Sequence, residues 1–151
     1  MVDTLDPRRL RRLLEDSGLR ATRQRLAAAA WLFDGASKHV TAEELHAHVG
    51  RAASLATIYN TLNAFTRAGL LRQVSTDGGR VFFDTQVEPH HHFYDEATGA
   101  LIDVPLDAVS IDALPAPPEG RVIAAVDVFI RLTAPVTGKE AAPDDQRGAR
   151  T

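Results

Sequence analysis

The chain is 151 residues long and 44% hydrophobic, with 17 Lys/Arg, 20 Asp/Glu and no cysteine. That is enough for one core of ordinary size or two small ones, and the missing thiols exclude disulfides, thiolate catalysis, iron–sulfur clusters and every Cys-ligated zinc site. The net charge of −3 hides an asymmetry: residues 1–80 carry 12 Lys/Arg and 8 Asp/Glu, residues 81–151 carry 5 and 12, so a polyanion would be met by the first half.

Asp6-Pro7 reads as an N-cap followed by proline at the first helical position. Leu10, Leu13 and Leu14 give that helix its apolar stripe, four arginines surround it, and Gly18 ends it. Thr22 caps a second helix with apolar positions Leu26, Ala29, Ala30 and Phe33. Thr41-Ala42-Glu43-Glu44 is a capping box ahead of a short third helix that carries Leu45 and Val49 inward. Ser54 caps a fourth helix, Leu55 to Ala68, whose expected seam is Leu55, Ile58, Leu62 and Phe65. Thr57, Asn60, Thr61 and Ala64 are expected to face away, a small, nearly uncharged surface suited to entering a groove. Two β-rich runs, Leu70–Val74 and Arg80–Asp84, join through Asp77-Gly78-Gly79. Helices followed by a hairpin is the order of a winged helix-turn-helix, in which one helix lies in the DNA major groove.

His90-His91-His92 stands where the basic half gives way to the acidic half. Imidazole is the commonest protein ligand for metals, and alternation along a strand would point His90 and His92 together and His91 away. Phe93–Tyr94 and Leu101–Val104 then form a second hairpin around Ala97-Thr98-Gly99, Leu106–Leu114 is a helical candidate, and Val122–Leu132 is a long apolar run. Such a layer is thin to stand alone. The expected fold class is therefore α+β: a winged helix-turn-helix over residues 1–86, a small α/β dimerisation and ligand-sensing domain over 87–133, and a disordered tail over 134–151. No run approaches the roughly 18–20 apolar residues of a membrane span and the start lacks a secretory apolar stretch, so a cytoplasmic protein without a membrane partner is expected.

The segments Gly18-Leu19-Arg20-Ala21-Thr22-Arg23-Gln24-Arg25, His39-Val40-Thr41-Ala42-Glu43-Glu44-Leu45 and Ser54-Leu55-Ala56-Thr57-Ile58-Tyr59-Asn60-Thr61-Leu62, followed by Gly78-Gly79-Arg80 through Asp84 and the triple histidine, resemble the ferric uptake regulator superfamily of bacterial metal-responsive repressors. Within it the chain is most similar to the iron response regulator branch, because it lacks both Cys-x-x-Cys motifs and follows its histidines with Phe93-Tyr94. The resemblance implies a homodimeric transcription regulator of iron or haem homeostasis that binds A·T-rich inverted repeats in double-stranded DNA. It implies DNA contacts from Arg20, Arg23, Ser54, Thr57, Tyr59, Asn60 and Thr61, with Tyr59 against thymine methyls and Arg20 in the minor groove. These assignments suit the residue types, since arginine favours narrow A·T-rich minor grooves and asparagine pairs with adenine.

The resemblance also implies a divalent metal site (Fe, Mn or Zn) at His39, Asp84 and His92, with His90 or Glu88 substituting for a family histidine that Tyr94 replaces. Haem is the alternative ligand, at His90, His91 and His92. No Cys-ligated structural zinc is possible. In the iron response branch the ligand-free form binds DNA and haem releases it. Three alternatives carry less weight: a Mn-, Fe-, Zn- or peroxide-responsive repressor of the same superfamily, a small His/Asp metallohydrolase, and a metal-storing or adaptor protein. Nothing in the sequence resembles a nucleophile, a phosphate loop or a paired-carboxylate site, so an enzyme is not expected.

Overall fold

The structure is a computed structural model that describes residues 6–135. Each N-terminal helix begins where a side-chain oxygen takes an orphan amide. Asp6 accepts from Arg8 N ahead of α1 (Pro7–Asp16), and Thr22 accepts from Arg25 N ahead of α2 (Arg23–Leu32). After the short strand β1 (His39–Val40), Thr41 and Glu44 form a reciprocal capping box at α3 (Ala42–Val49). Ser54 accepts from Thr57 N at α4 (Leu55–Arg67). The hairpin of β2 (Arg72–Ser75) and β3 (Val81–Asp84) follows, turning at Gly79 with φ of 74°, a left-handed conformation that glycine adopts without strain. β3 is central in a three-stranded sheet of order β1-β3-β2.

The core of this unit draws on all four helices and on the sheet: Leu10 and Leu14, Ala28, Ala29 and Leu32, Leu45, Ile58, Leu62 and Phe65, and Val40 and Phe83. The seam of α4 differs from the expected one. Leu55 is 37% exposed, while Thr61 (5%) and Ala64 (6%) are buried. The inward positions Ile58, Thr61, Leu62 and Phe65 follow i, i+3, i+4, i+7, so the apolar arc is wider than a single row and the first residue of the helix falls outside it.

A second unit starts at His90, the division falling between Pro89 and His90. Its sheet has the order β5-β4-β6, from β4 (His91–Asp95), β5 (Leu101–Val104) and β6 (Phe129–Leu132). β4 and β5 are an antiparallel hairpin, whereas β6 lies parallel to β4 after a long crossover. The expected helix over Leu106–Leu114 is only a 3-10 turn at Leu106–Ala108. Residues 109–128 contain no regular helix or strand, and of the apolar run Val122–Leu132 only the last four residues pair as a strand. Pro115, Pro117 and Pro118 break the middle of this stretch, because each removes a backbone donor and biases its predecessor to extended geometry. Residues 136–151, most of the expected tail, lie outside the described residues. No helix among the described residues is long and apolar enough to cross a membrane.

Candidate metal centre and nucleic-acid face

In the first unit, strand register brings one histidine to one carboxylate. His39 is paired directly with Asp84 across β1 and β3, and His39 Nε2 lies 3.1 Å from Asp84 Oδ2. The pairing continues beyond the strands: Lys38 N donates to Thr85 Oγ1 at 2.9 Å, and Thr85 N donates to the Lys38 carbonyl at 3.0 Å. Asp84 is fully buried, and its Oδ1 accepts from Gln86 N at 2.8 Å. A carboxylate held at both oxygens is oriented before any ligand arrives.

In the second unit, hairpin register does the same for two histidines. His92 stands opposite Asp103 across β4 and β5, and His90 is two residues earlier, on the same side as His92. His90 Nε2 lies 3.0 Å and His92 Nε2 3.7 Å from Asp103 Oδ1, and the two rings are 4.5 Å apart. The ligand atoms of His90, His92 and Asp103 all lie within 4.8 Å of one another. Two imidazoles and a carboxylate that close, with no thiolate in the chain, are a donor set for a borderline divalent ion such as Fe²⁺, Mn²⁺ or Zn²⁺. The sequence reading did not include Asp103, although a signal was present. Counting back from the Ala97-Thr98-Gly99 turn pairs 94 with 101, 93 with 102 and 92 with 103.

His91 points away from this group. Its Nδ1 accepts from Val128 N at 3.3 Å. With Nδ1 accepting, the neutral ring carries its proton on Nε2 and has no lone pair left for an ion. The His92 ring is itself stacked on Phe129, with centroids 5.6 Å apart.

On the first unit's surface, Arg20, Arg23, Ser54 and Asn60 are exposed, Tyr59 is 39% exposed and Thr57 is half-buried. Arg25 donates from Nη1 to the Arg20 carbonyl at 3.1 Å, fixing the loop from which Arg20 projects. Thr61 does not belong to this face. It was grouped with the outward residues, but it is buried inside the α4 seam and cannot reach a base from there.

A helix-turn-helix unit with a two-stranded wing, followed by a small sheet unit, with His/carboxylate groups in each, defines the class of protein. Residues 16–114 match the profile described as the ferric uptake regulator family. The chain belongs to that family. Ferric uptake regulation protein 1 of Mycolicibacterium fortuitum is 37% identical over 112 residues, covering 69% of this chain and 64% of the relative. The chain thus spans just under two thirds of that relative's length. Two solved structures share the fold. The ferric uptake regulator of Vibrio cholerae has a TM-score of 0.63 at 23% identity, over 82% of this chain and 98% of that one; its description names DNA-binding domains. That of Helicobacter pylori has a TM-score of 0.59 at 17% identity, over 94% and 100%, and is described as having three functional metal binding sites.

Proposed function

We propose that this protein is a metal-responsive transcription regulator that binds double-stranded DNA as a homodimer. The observation that carries the reading is the triad His90, His92 and Asp103, whose ligand atoms lie within 4.8 Å of one another. We infer that the His39–Asp84 pair of the first unit is also a metal-ligating group. An ion supplies positive charge that offsets the burial of the Asp84 carboxylate. A sensor further needs an ion whose affinity differs between two states of the protein, because a ligand with equal affinity for both shifts neither. The exposed apolar side chains Ile102, Leu106, Ile111, Leu114, Val122 and Ile123 support self-association through the second unit. α4, with Tyr59, Asn60 and Ser54 outward, is the reading helix, aided by Arg20 and Arg23.

Within the family, the triple histidine followed by Phe93-Tyr94 supports the iron response branch. Haem and a bare ion make different demands there. Haem needs an accessible ring nitrogen and room for a planar macrocycle, whereas His91 is committed to Val128 and His92 is stacked on Phe129. The geometry favours the small ion.

The experiment is a gel shift on an A·T-rich inverted-repeat duplex with apo, Mn²⁺-loaded, Zn²⁺-loaded and haem-loaded protein, repeated for Asp103→Ala and His92→Ala. The expected result is a metal effect on DNA affinity that both variants lose. A metal response unchanged in both variants would reject the site, and a response to haem alone would restore the haem reading.

A further inference from the structure

The outward face of α4 holds a contact that ion sensing does not use. Tyr59 Oη donates to Glu43 Oε1 at 3.1 Å, joining α4 to the first turn of α3. Glu43 lies within the capping box, in which Thr41 N donates to Glu44 Oε2 and Glu44 N to Thr41 Oγ1. Beside the Tyr59 ring is a cleft of about 450 Å³, lined also by Asn63, Gln73, Arg80 and Phe83. Tyr59 and Glu43 both line this cleft, so a half-exposed phenol released from the carboxylate has a second place to go. The bond to Glu43 also pushes the Tyr59 hydroxyl above its ordinary pKa of 10.0.

We propose that Glu43 is a positioning residue for DNA recognition: by accepting the Tyr59 hydroxyl, it holds that ring at the surface α4 presents to the duplex. The proposal rests on the reading of α4 as the recognition helix. Its benefit is preorganisation, because the side chain is ordered in the free protein rather than on binding. A purely electrostatic role predicts the opposite sign. A carboxylate near the phosphates repels them, so removing it would tighten binding to any duplex.

The two are separated by selecting duplexes from a pool with a randomised centre on full-length protein, apo and Mn²⁺-loaded in parallel, and continuing with the form that binds. Affinities are then measured for one selected and one unselected duplex. Glu43→Ala and Tyr59→Phe should each weaken binding to the selected duplex by about three- to tenfold, the effect of freeing one side chain. Glu43→Gln, which keeps an acceptor without the charge, should stay close to wild type. The double variant Glu43→Ala/Tyr59→Phe should bind no more weakly than either single one. Tighter binding of both duplexes by Glu43→Ala and Glu43→Gln overturns the proposal, as do single effects that add in full. If the wild type enriches no sequence, the DNA-binding reading itself fails, a result distinct from enrichment that Glu43→Ala leaves unchanged.

Discussion

The two units of this chain are stabilised by different interiors. The first fills its centre with apolar side chains from four helices and a sheet, Leu14, Leu45, Leu62 and Phe65 among them, all fully buried. In the second, among the described residues, Leu101 and Val104 are the buried apolar side chains, and His90, His91 and His92 take the rest of the interior. Apolar burial is indifferent to solutes at low concentration, whereas an imidazole–carboxylate interior is a place where an ion can bind. The contrast is one of interiors: an apolar frame in the first unit, a group of imidazoles and a carboxylate in the second.

The contrast is broken most directly at Phe65. Replacing it by alanine should cost about 3–5 kcal/mol through lost burial and a cavity, and the loss of the first unit's helical signal on heating should not be rescued by Mn²⁺ or Zn²⁺. Equal rescue by metal would show that the first unit also depends on the ion. The second unit should behave in the opposite way. At free ion about 100-fold above its Kd, metal should stabilise it by about 2.7 kcal/mol, read as slower amide exchange in β4 and β5, and Asp103→Ala should abolish that gain. Thr41→Ala sharpens the frame side of the comparison. It removes half of the capping box, so a loss of about 1 kcal/mol in chemical denaturation is expected.

The smallest effect is a pH dependence in the second unit. The Asp95 carboxyl is held below its ordinary value of 3.8, chiefly by the Ala97 amide and then by Thr98. A carboxyl lowered in the folded state contributes stability that is complete above the unfolded value and lost as pH falls through the folded one. Asp95→Asn should therefore flatten the stability profile below about pH 4 and leave neutral pH nearly unchanged. A difference confined to neutral pH would contradict this.

How much of this was legible in the sequence depended on range. The caps at Asp6, Thr22, Thr41 and Ser54 are local hydrogen bonds between residues two or three apart, and all four helices begin where those side chains place them. The hairpin Leu101–Val104 was equally local. What failed needed tertiary context. The width of the α4 seam, and with it Thr61, depends on what packs against the helix. The parallel pairing of β6 with β4 joins segments more than thirty residues apart, which no local pattern encodes. Asp103 lies between these cases, since its position opposite His92 follows from hairpin arithmetic that was available. Glu43 was visible only as part of a capping box, because its bond to Tyr59 joins two helices.

The turn over Asp95–Gly99 also acts as a ruler. It carries none of the donor atoms, yet its length decides which residue of β5 faces His92. Adding one residue there would move Ile102 opposite His92 and turn Asp103 out of register, because pairing along a strand alternates by single steps. The register of the candidate donors in the second unit is therefore set by the length of an exposed turn as much as by their identities. Homologous chains with a longer or shorter turn should be read as having a different inner coordination set, even where all three histidines are retained.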